Sequence, residues 1–396
     1  MEHQDFLLTL LMVAGVAIIF MTVAYKITGK CFAEEVADNG RYESLDGLRG
    51  LAALSVAIHH SFFFFGYAKY GKWSIDYIGG GYPQIIIDYL GKGSVSVFFM
   101  ITAFLFWGKI LGNSDAVNWR GFYIKRFFRI VPLYLVVVCL SIAYVIATIK
   151  TPFTLFPYIR DSFYWLTFDF FGTPNINGYP LSKSIVAGVF WTLSYEWMFY
   201  FMLPVLSVFA VTKKSSSLLL WLMFGVMAFI YWFGIGINRW AQAHVLCFII
   251  GAACAHMYKF YPALIIKLKS PAFSVIAVAA LGVCVYGFDV PYSHIPIVLI
   301  GITFFIVSCG NCIFGVLRLN AMKMLGAISF SVYLLHGITY TVLFSTMIKS
   351  GFSFHAAIAI TIPAIIALST LSYLFIERKF ISKGQAVTGK APASAP

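Results

Sequence analysis

The feature that most limits what this chain can fold into is a series of long apolar stretches recurring from one end to the other. Each is close to the roughly 20 residues that an α-helix needs to cross a bilayer, and too long for a strand of a membrane β-barrel. We place eleven of them, at 6–25, 47–67, 93–112, 130–149, 189–211, 218–237, 241–257, 272–288, 293–309, 322–346 and 354–377. The pattern predicts an all-α polytopic membrane protein with about eleven transmembrane helices.

Composition and charge support this class. Hydrophobic residues make up 61% of the chain and charged residues 11%, whereas an ordinary soluble domain has about 25% charged residues. The net charge of +13 would suit a nucleic-acid partner. The Lys and Arg residues, however, lie in short loops between apolar stretches, where membrane topology places them. We therefore expect membrane lipid, and no nucleic acid, among the partners.

The positions of Lys and Arg also predict an orientation. If the amino terminus lies outside, most of these residues fall in cytoplasmic loops and in the tail, as the positive-inside bias requires. The first stretch follows the acidic flank MEHQD, and no small-residue cleavage pattern comes after it. We interpret it as a retained helix and not as a signal peptide. The carboxyl terminus is then cytoplasmic.

Two ionisable residues share one face of the stretch 47–67. Arg49 and His60 are close to three helical turns apart, which places them on the same side of the helix and roughly 16 Å apart along its axis. Asp46 precedes Arg49 by about one turn and could pair with it. Ionisable groups are costly inside a span and by default mark a functional site.

A carboxylate is predicted close to this histidine. On the predicted topology Glu196, in the stretch 189–211, lies at a depth similar to that of His60, roughly 10 Å below the outer surface. A carboxylate within reach of an imidazole raises its basicity and fixes its tautomer, which suits a general base. We therefore predict a catalytic pair of His60 and Glu196. The alternative is a buried pair that only ties two helices together.

A cluster of cations falls near one membrane level, at Arg49, Lys109, Arg120, Lys125, Arg126 and Arg129. Such a cluster either faces anionic lipid or binds the phosphates of a polyanionic cofactor. Because Arg49 lies inside a span at the same level, we favour cofactor phosphates. No metal is predicted, since Cys309 and Cys312 form the one pair at ligand spacing among seven cysteines and are interpreted as packing residues.

His336 lies near the middle of the stretch 322–346, with Tyr333 about one turn before it on the same face. It is either a second site residue or a hydrogen-bonding group between helices, and the sequence leaves both interpretations open.

Several segments, in this order, resemble motifs of the acyltransferase-3 family of bacterial membrane acyltransferases. The resemblance rests on Asp46-x-x-Arg49 with His60, GSVSVFFMITAFLF at 93–106, the basic segment from Arg120 to Pro132, WTLSYEWMFY at 191–200 and ISFSVYLLH at 328–336. The segment from Tyr373 to Ile381 resembles the closing motif of the family. Four positions depart from the family pattern. Ser96 stands where Asp is usual, Thr102-Ala103 where Ser-Gly is usual, and Lys379 of the closing motif where Pro is usual.

The resemblance implies a ten-helix acyltransferase-3 membrane domain at 44–380. An extra transmembrane helix and a cytoplasmic linker would precede it at 1–43, and a disordered cytoplasmic tail would follow at 381–396. The implied reaction transfers an acyl group, most often acetyl, from cytoplasmic acetyl-CoA or another acyl-CoA. The acceptor would be a hydroxyl of a cell-surface or lipid-linked polysaccharide, such as an O-antigen or exopolysaccharide, at the bacterial inner membrane.

In this interpretation His60 is the general base, with Glu196 and Asp46 as further catalytic candidates. The acyl-CoA phosphates would be bound by Arg49, Arg120, Lys125, Arg126 and Arg129, and the remaining candidates are Tyr333, His336, Trp191 and Tyr200. The competing interpretation is a proton-coupled transporter or flippase of a lipid-linked glycan or small anion, in which His60 and Glu196 relay protons.

Overall fold

The computed structural model describes residues 3–37, 42–111, 117–148, 154–210, 212–236 and 238–389. All regular elements in these ranges are helical. The main helices are α1 (His3–Thr28), α2 (Glu43–Tyr70), α3 (Tyr82–Ile110), α4 (Trp119–Thr148), α5 (Leu155–Trp165), α6 (Trp191–Ser207), α7 (Lys213–Phe233), α8 (Arg239–Phe260), α9 (Pro262–Leu268), α10 (Pro271–Gly287), α11 (His294–Ser308), α12 (Asn320–Ala327), α13 (Ser329–Lys349) and α14 (Phe354–Val387).

Eight of the described helices are long and apolar enough to cross a membrane. They are α1 with its continuation to Val36, α2, α3, α4, α7, α8, α13 and α14. The pair α9 and α10 passes the same test together but is bent by 80°, and α11 is apolar but shorter. The predicted all-helical, multi-pass architecture is confirmed. The count of eleven spans stays a prediction.

Several predicted spans have different bounds in the structure. The stretches 93–112 and 130–149 belong to helices that already begin at Tyr82 and Trp119. The stretch 322–346 is divided between α12 and α13 at Ile328, where the backbone leaves helical geometry (φ −87°, ψ 4°). Hydropathy does not register such a break, because both flanking segments are apolar.

The carboxyl-terminal tail is predicted to be disordered from residue 381, but the chain is still helical there. Helix α14 continues to Val387 and packs on α4, where the rings of Phe128 and Phe380 stack with centroids 6.3 Å apart. The polar composition of this segment predicted disorder. Composition alone does not show that the segment can pack against α4. Residues 390–396 of the predicted tail lie outside the described residues.

Helix α2 lies at the centre of the bundle and packs against α3, α12 and α13. Two acidic residues lie in its first turn, where the helix dipole favours them. Its contact with α12 is close because α12 carries a glycine there: a Cβ on Gly326 would lie 2.1 Å from the carbonyl oxygen of Asp46. This packing fixes the end of α2 that carries Asp46 and Arg49.

Helices α3, α13 and α14 each contain a π-helical segment, at Tyr89–Gly93, Tyr340–Phe344 and Tyr373–Glu377. Such segments change the register of a helix and are frequent at functional sites. In α3 the segment presents Gly91 to His59, whose ring would lie 2.5 Å from a Cβ at that position. His59 Nδ1 is 2.7 Å from the carbonyl oxygen of Ile87. His59 is therefore tied to α3.

The connection between α5 and α6 enters the bundle before α6 begins. Residues 182–190 include the buried side chains of Val186 and Phe190. Gly337 of α13 lets this segment come close, since a Cβ there would lie 2.4 Å from the carbonyl carbon of Val186. Helix α6 consequently starts within the protein interior, which determines where its polar residues lie.

Candidate active site

A cavity of about 480 Å³ is lined by residues of α2, α3, α4, α6, α12, α13 and α14. Part of its wall is cationic, formed by Arg49, Lys109, Arg126, Arg129 and Lys323. Most of the remaining wall is apolar and aromatic and includes Val95, Phe98, Phe330 and Tyr333. We refer to the five cations as the basic wall.

Three of the predicted donor-binding residues belong to the basic wall: Arg49, Arg126 and Arg129. Arg120 and Lys125 do not line the cavity, and the Arg120 side chain is exposed. The periodicity of α4 explains the division. Arg126 and Arg129 are three residues apart and share a face, whereas Lys125 is turned by roughly 100° from Arg126.

Close contacts hold several of the cations at the wall. Asp46 lies beside Arg49, with Oδ1 3.4 Å from Nη1, as their spacing predicted. The Arg126 guanidinium carbon is 4.9 Å, and the Lys109 Nζ 5.0 Å, from the centre of the Phe106 ring. An aromatic face attracts cations, so one phenyl ring stabilises two members of the basic wall.

Glu196 also belongs to this part of the cavity. Its carboxylate accepts a hydrogen bond from the hydroxyl of Tyr200, and both residues line the cavity. It interacts electrostatically with Arg126, Arg129 and Arg49. In the described chain no hydrogen bond or ion pair joins Glu196 to His60, so the predicted pair is not formed. Because α6 starts in the interior, Glu196 lies beside the basic wall, a placement that the predicted spans did not anticipate.

His60 is instead paired with His336. His336 Nε2 lies 3.1 Å from His60 Nδ1, and the two rings stack with centroids 5.0 Å apart. His336 is fully buried, whereas His60 is partly exposed. His336, whose role the sequence left open, is therefore in direct contact with the predicted base.

Tyr333 lies between the cavity and the histidine pair. It lines the cavity, and its ring centroid is 6.1 Å from that of His336. Its hydroxyl is 3.0 Å from Thr192 Oγ1, which also lines the cavity. His60 is not among the lining residues. One aromatic layer therefore separates the histidine pair from the cavity.

The two aromatic candidates of α6 have different positions. Tyr200 lines the cavity, whereas Trp191 does not and packs on the ring of His244, with centroids 4.8 Å apart. Trp191 is therefore one layer behind the wall.

Sequence reasoning missed two charged residues that line the cavity. Lys323 is buried and lies 3.2 Å from Glu43; a lysine within an apolar stretch is the signal that could have revealed it. Glu35 comes from the segment after α1, and the hydroxyl of Tyr373 donates to it at 2.8 Å. That contact depends on how α1 packs, which no local pattern reveals.

Comparison with protein families places these elements in one domain. A family model described as an acyltransferase domain, the acyltransferase-3 model, matches residues 42–375, which is most of the chain. The matched range includes Arg49, His60, Glu196 and His336. Comparisons with curated proteins and with solved structures found no match. On the extent of the family match, the chain belongs to the acyltransferase-3 family and is a membrane-bound acyltransferase.

Proposed function

We propose that the protein transfers an acyl group, most simply acetyl, from coenzyme A to a hydroxyl of a cell-surface or lipid-linked polysaccharide. The observation that carries the proposal is a cavity with the basic wall on one part and Tyr333 on another, with the pair of His60 and His336 one aromatic layer behind Tyr333. A donor with phosphates at one end and a thioester at the other needs cations at the first end and a base near the second. Family membership supports the reaction class.

The basic wall suits the phosphates of the donor. Arg presents parallel N–H donors to phosphate oxygens, and charge-assisted hydrogen bonds are among the strongest in proteins. Arg49 lies on α2 and Arg126 and Arg129 on α4, yet all three converge on one cavity. Cations that bind anionic lipid would instead lie on the lipid-facing surface of the protein. We assign the donor phosphates to the basic wall, and lipid headgroups to Arg120 and Lys125.

His60 supplies the base in the proposed reaction. Its Nε2 has no hydrogen-bond partner in the part of the chain that the structure describes, and the ring is partly exposed. Nε2 takes the proton of the acceptor hydroxyl while the hydroxyl oxygen bonds to the thioester carbonyl carbon. The carbon–sulfur bond then breaks and the proton passes from Nε2 to the thiolate. An ester and a free thiol result, and His60 is neutral again.

We assign Glu196 and Asp46 to the organisation of the basic wall. Asp46 contacts Arg49, and Glu196 lies among the arginines. Several cations in one small cavity repel one another, and nearby carboxylates offset that repulsion. The two acids therefore hold the arginines in place for the donor and do not contact the reacting atoms.

The topology predicted from Lys and Arg places the basic wall towards the cytoplasm of a bacterial inner membrane, with the amino terminus outside. The cytoplasm supplies acyl-CoA. His60 lies roughly 16 Å further along α2, where an acceptor can approach from the opposite face. In this arrangement neither whole substrate crosses the membrane.

Inverted inner-membrane vesicles containing the protein test this function. With [14C]acetyl-CoA outside the vesicles, we expect label to enter the polysaccharide fraction, and to remain at background with His60→Gln. The matched control is His355→Gln, which changes an exposed histidine at the start of α14 and should transfer as the unmodified protein does. Equal transfer by His60→Gln would refute the role of the base. No transfer by the unmodified protein would refute the acetyltransferase and favour a transporter.

A further inference from the structure

We infer that His336 is a positioning residue that fixes the neutral tautomer of His60, with the proton on Nδ1 and the lone pair on Nε2. The inference deepens the proposed function, because it states what makes His60 a base. Its first test is spectroscopic and needs no activity.

In both histidines, Nδ1 lies close to a carbonyl oxygen of the preceding turn of the same helix. His60 Nδ1 is 3.1 Å from the carbonyl oxygen of Val56, and His336 Nδ1 is 3.0 Å from the carbonyl oxygen of Val332. A carbonyl oxygen only accepts hydrogen bonds. Each Nδ1 must therefore carry a proton if these two contacts are hydrogen bonds.

These two protons determine which ring donates and which accepts at the contact between His60 and His336. With its proton on Nδ1, neutral His336 has a lone pair on Nε2. The Nδ1–H of His60 is then shared between this lone pair and the carbonyl oxygen of Val56, both 3.1 Å from Nδ1. In the opposite assignment His336 Nε2–H would donate to His60 Nδ1, and the Nδ1 lone pair of fully buried His336 would face the carbonyl oxygen of Val332 without a donor. A buried acceptor without a donor costs free energy, so the first assignment is favoured.

The surroundings keep the pair in this arrangement. His336 is fully buried, so water does not compete for Nε2. The hydroxyl of Tyr340, from the π-helical segment of α13, donates to the carbonyl oxygen of Ala57 on α2 at 3.0 Å. This bond ties together the two helices that carry the histidines. The free Nε2 of His60 is the atom that the proposed reaction requires.

The contact between His60 and His336 also stabilises the protonated form of His60. When His60 Nε2 takes a proton, the positive charge spreads over the ring and strengthens the Nδ1–H as a donor. His336 Nε2 is already placed to accept it. The pair thus orients the base and stabilises its protonated form, while His336 touches neither substrate.

Solid-state NMR of the full-length protein in lipid, labelled with 15N-histidine, tests the tautomer directly. Signals of His60 are identified by their loss in His60→Gln. We expect neutral His60 to be protonated on Nδ1 and unprotonated on Nε2. In His336→Met the carbonyl oxygen of Val56 remains as the one acceptor described for Nδ1–H, and we expect a larger share of the tautomer protonated on Nε2. Neutral His60 protonated on Nε2 in the unmodified protein would overturn the inference, whatever the activity.

Transfer kinetics supply the second test. His336→Gln can place an amide oxygen near the position of Nε2, whereas His336→Met has similar length and no strong acceptor. We expect His336→Met to lower kcat by roughly 100-fold, within the range for general-base catalysis, and His336→Gln by less than about tenfold. The KM for acetyl-CoA should change by less than about threefold in both, because the basic wall is intact. Equal losses in both variants, or a change confined to KM, would count against the positioning role.

The two proposals fail in different ways. If His60 has the expected tautomer but the unmodified protein transfers no acetyl group, the proposed function is wrong and the structural assignment stands. If acetyl transfer depends on His60 but the tautomer is the opposite one, the positioning role of His336 is wrong. His355→Gln and His355→Met are the matched controls and should leave both the kinetics and the His60 signals unchanged.

Discussion

Arg129 of α4, which lines the cavity, forms an ion pair with Glu377 of α14, with Nη1 3.2 Å from Oε2. The Glu377 side chain is fully buried and also accepts a hydrogen bond from the hydroxyl of Ser331 on α13. Three helices are therefore joined around one carboxylate, and one of them carries an arginine of the basic wall.

Replacing Glu377 with Gln removes the carboxylate that forms the ion pair with Arg129. We expect the free energy of unfolding to fall by about 3 kcal/mol, the scale for breaking a buried ion pair from one side. Thermal unfolding in detergent measures this. The control is Glu34→Gln, which removes an exposed partner of Arg378 and should cost less than about 1 kcal/mol. Equal losses would show that burial of the first pair has no energetic consequence.

Arg126→Gln removes one cation of the basic wall. We expect CoA to bind roughly 10- to 100-fold more weakly, since a hydrogen bond to a charged group is worth about 1.5–3 kcal/mol. Calorimetric titration of the purified protein with CoA measures the affinity. Lys125→Gln removes the neighbouring charge, which does not line the cavity, and should have a much smaller effect. If both variants weaken binding equally, the cations act through general surface charge and not as a phosphate site.

Glu196→Gln separates the predicted role of this residue from the one that its position supports. If Glu196 holds the arginines of the basic wall in place, removing its negative charge lets them repel one another and move apart, and CoA should bind roughly threefold to tenfold more weakly. The kcat for acetyl transfer should change little. A fall of more than about 100-fold in kcat with unchanged CoA affinity would instead restore the coupling to His60.

Gly326→Ala tests the packing that fixes the start of α2. The added Cβ would lie 2.1 Å from the carbonyl oxygen of Asp46, so the helices must separate and Arg49 must move. We expect a lower melting temperature and weaker CoA binding. Gly225→Ala on α7 is the matched control: nothing lies within 4 Å of its Cβ, and replacing a helical Gly with Ala is favourable by about 0.5–1 kcal/mol. A stable Gly326→Ala variant with normal CoA affinity would contradict this interpretation.

Properties of single helices could be predicted from the sequence. Hydropathy identified the membrane helices because spanning a bilayer imposes length and apolarity on each one separately. The shared face of Arg49 and His60, and the pairing of Arg49 with Asp46, follow from helical periodicity alone. The division of α4 between Arg126, which lines the cavity, and Lys125, which does not, has the same origin.

Relations between helices could not be predicted in this way. His60 and His336 come together because α2 and α13 pack face to face, and no local pattern records that contact. The position of Glu196 depends on the buried segment 182–190, whose sequence does not have the pattern of a transmembrane helix. Glu35 reaches the cavity only because the segment after α1 packs against Tyr373. Each of these depends on tertiary packing, which overrides local sequence signals.

The central claim is that the basic wall and His60 serve two ends of one reaction, and measuring binding and turnover on the same purified variants tests it most directly. CoA affinity and [14C]acetyl transfer to membrane glycan are compared for His60→Gln and Arg126→Gln. The account predicts that His60→Gln binds CoA as the unmodified protein does and transfers no label, while Arg126→Gln loses CoA affinity and recovers transfer at high acetyl-CoA. Full transfer by His60→Gln, or unchanged CoA affinity in Arg126→Gln, would contradict it.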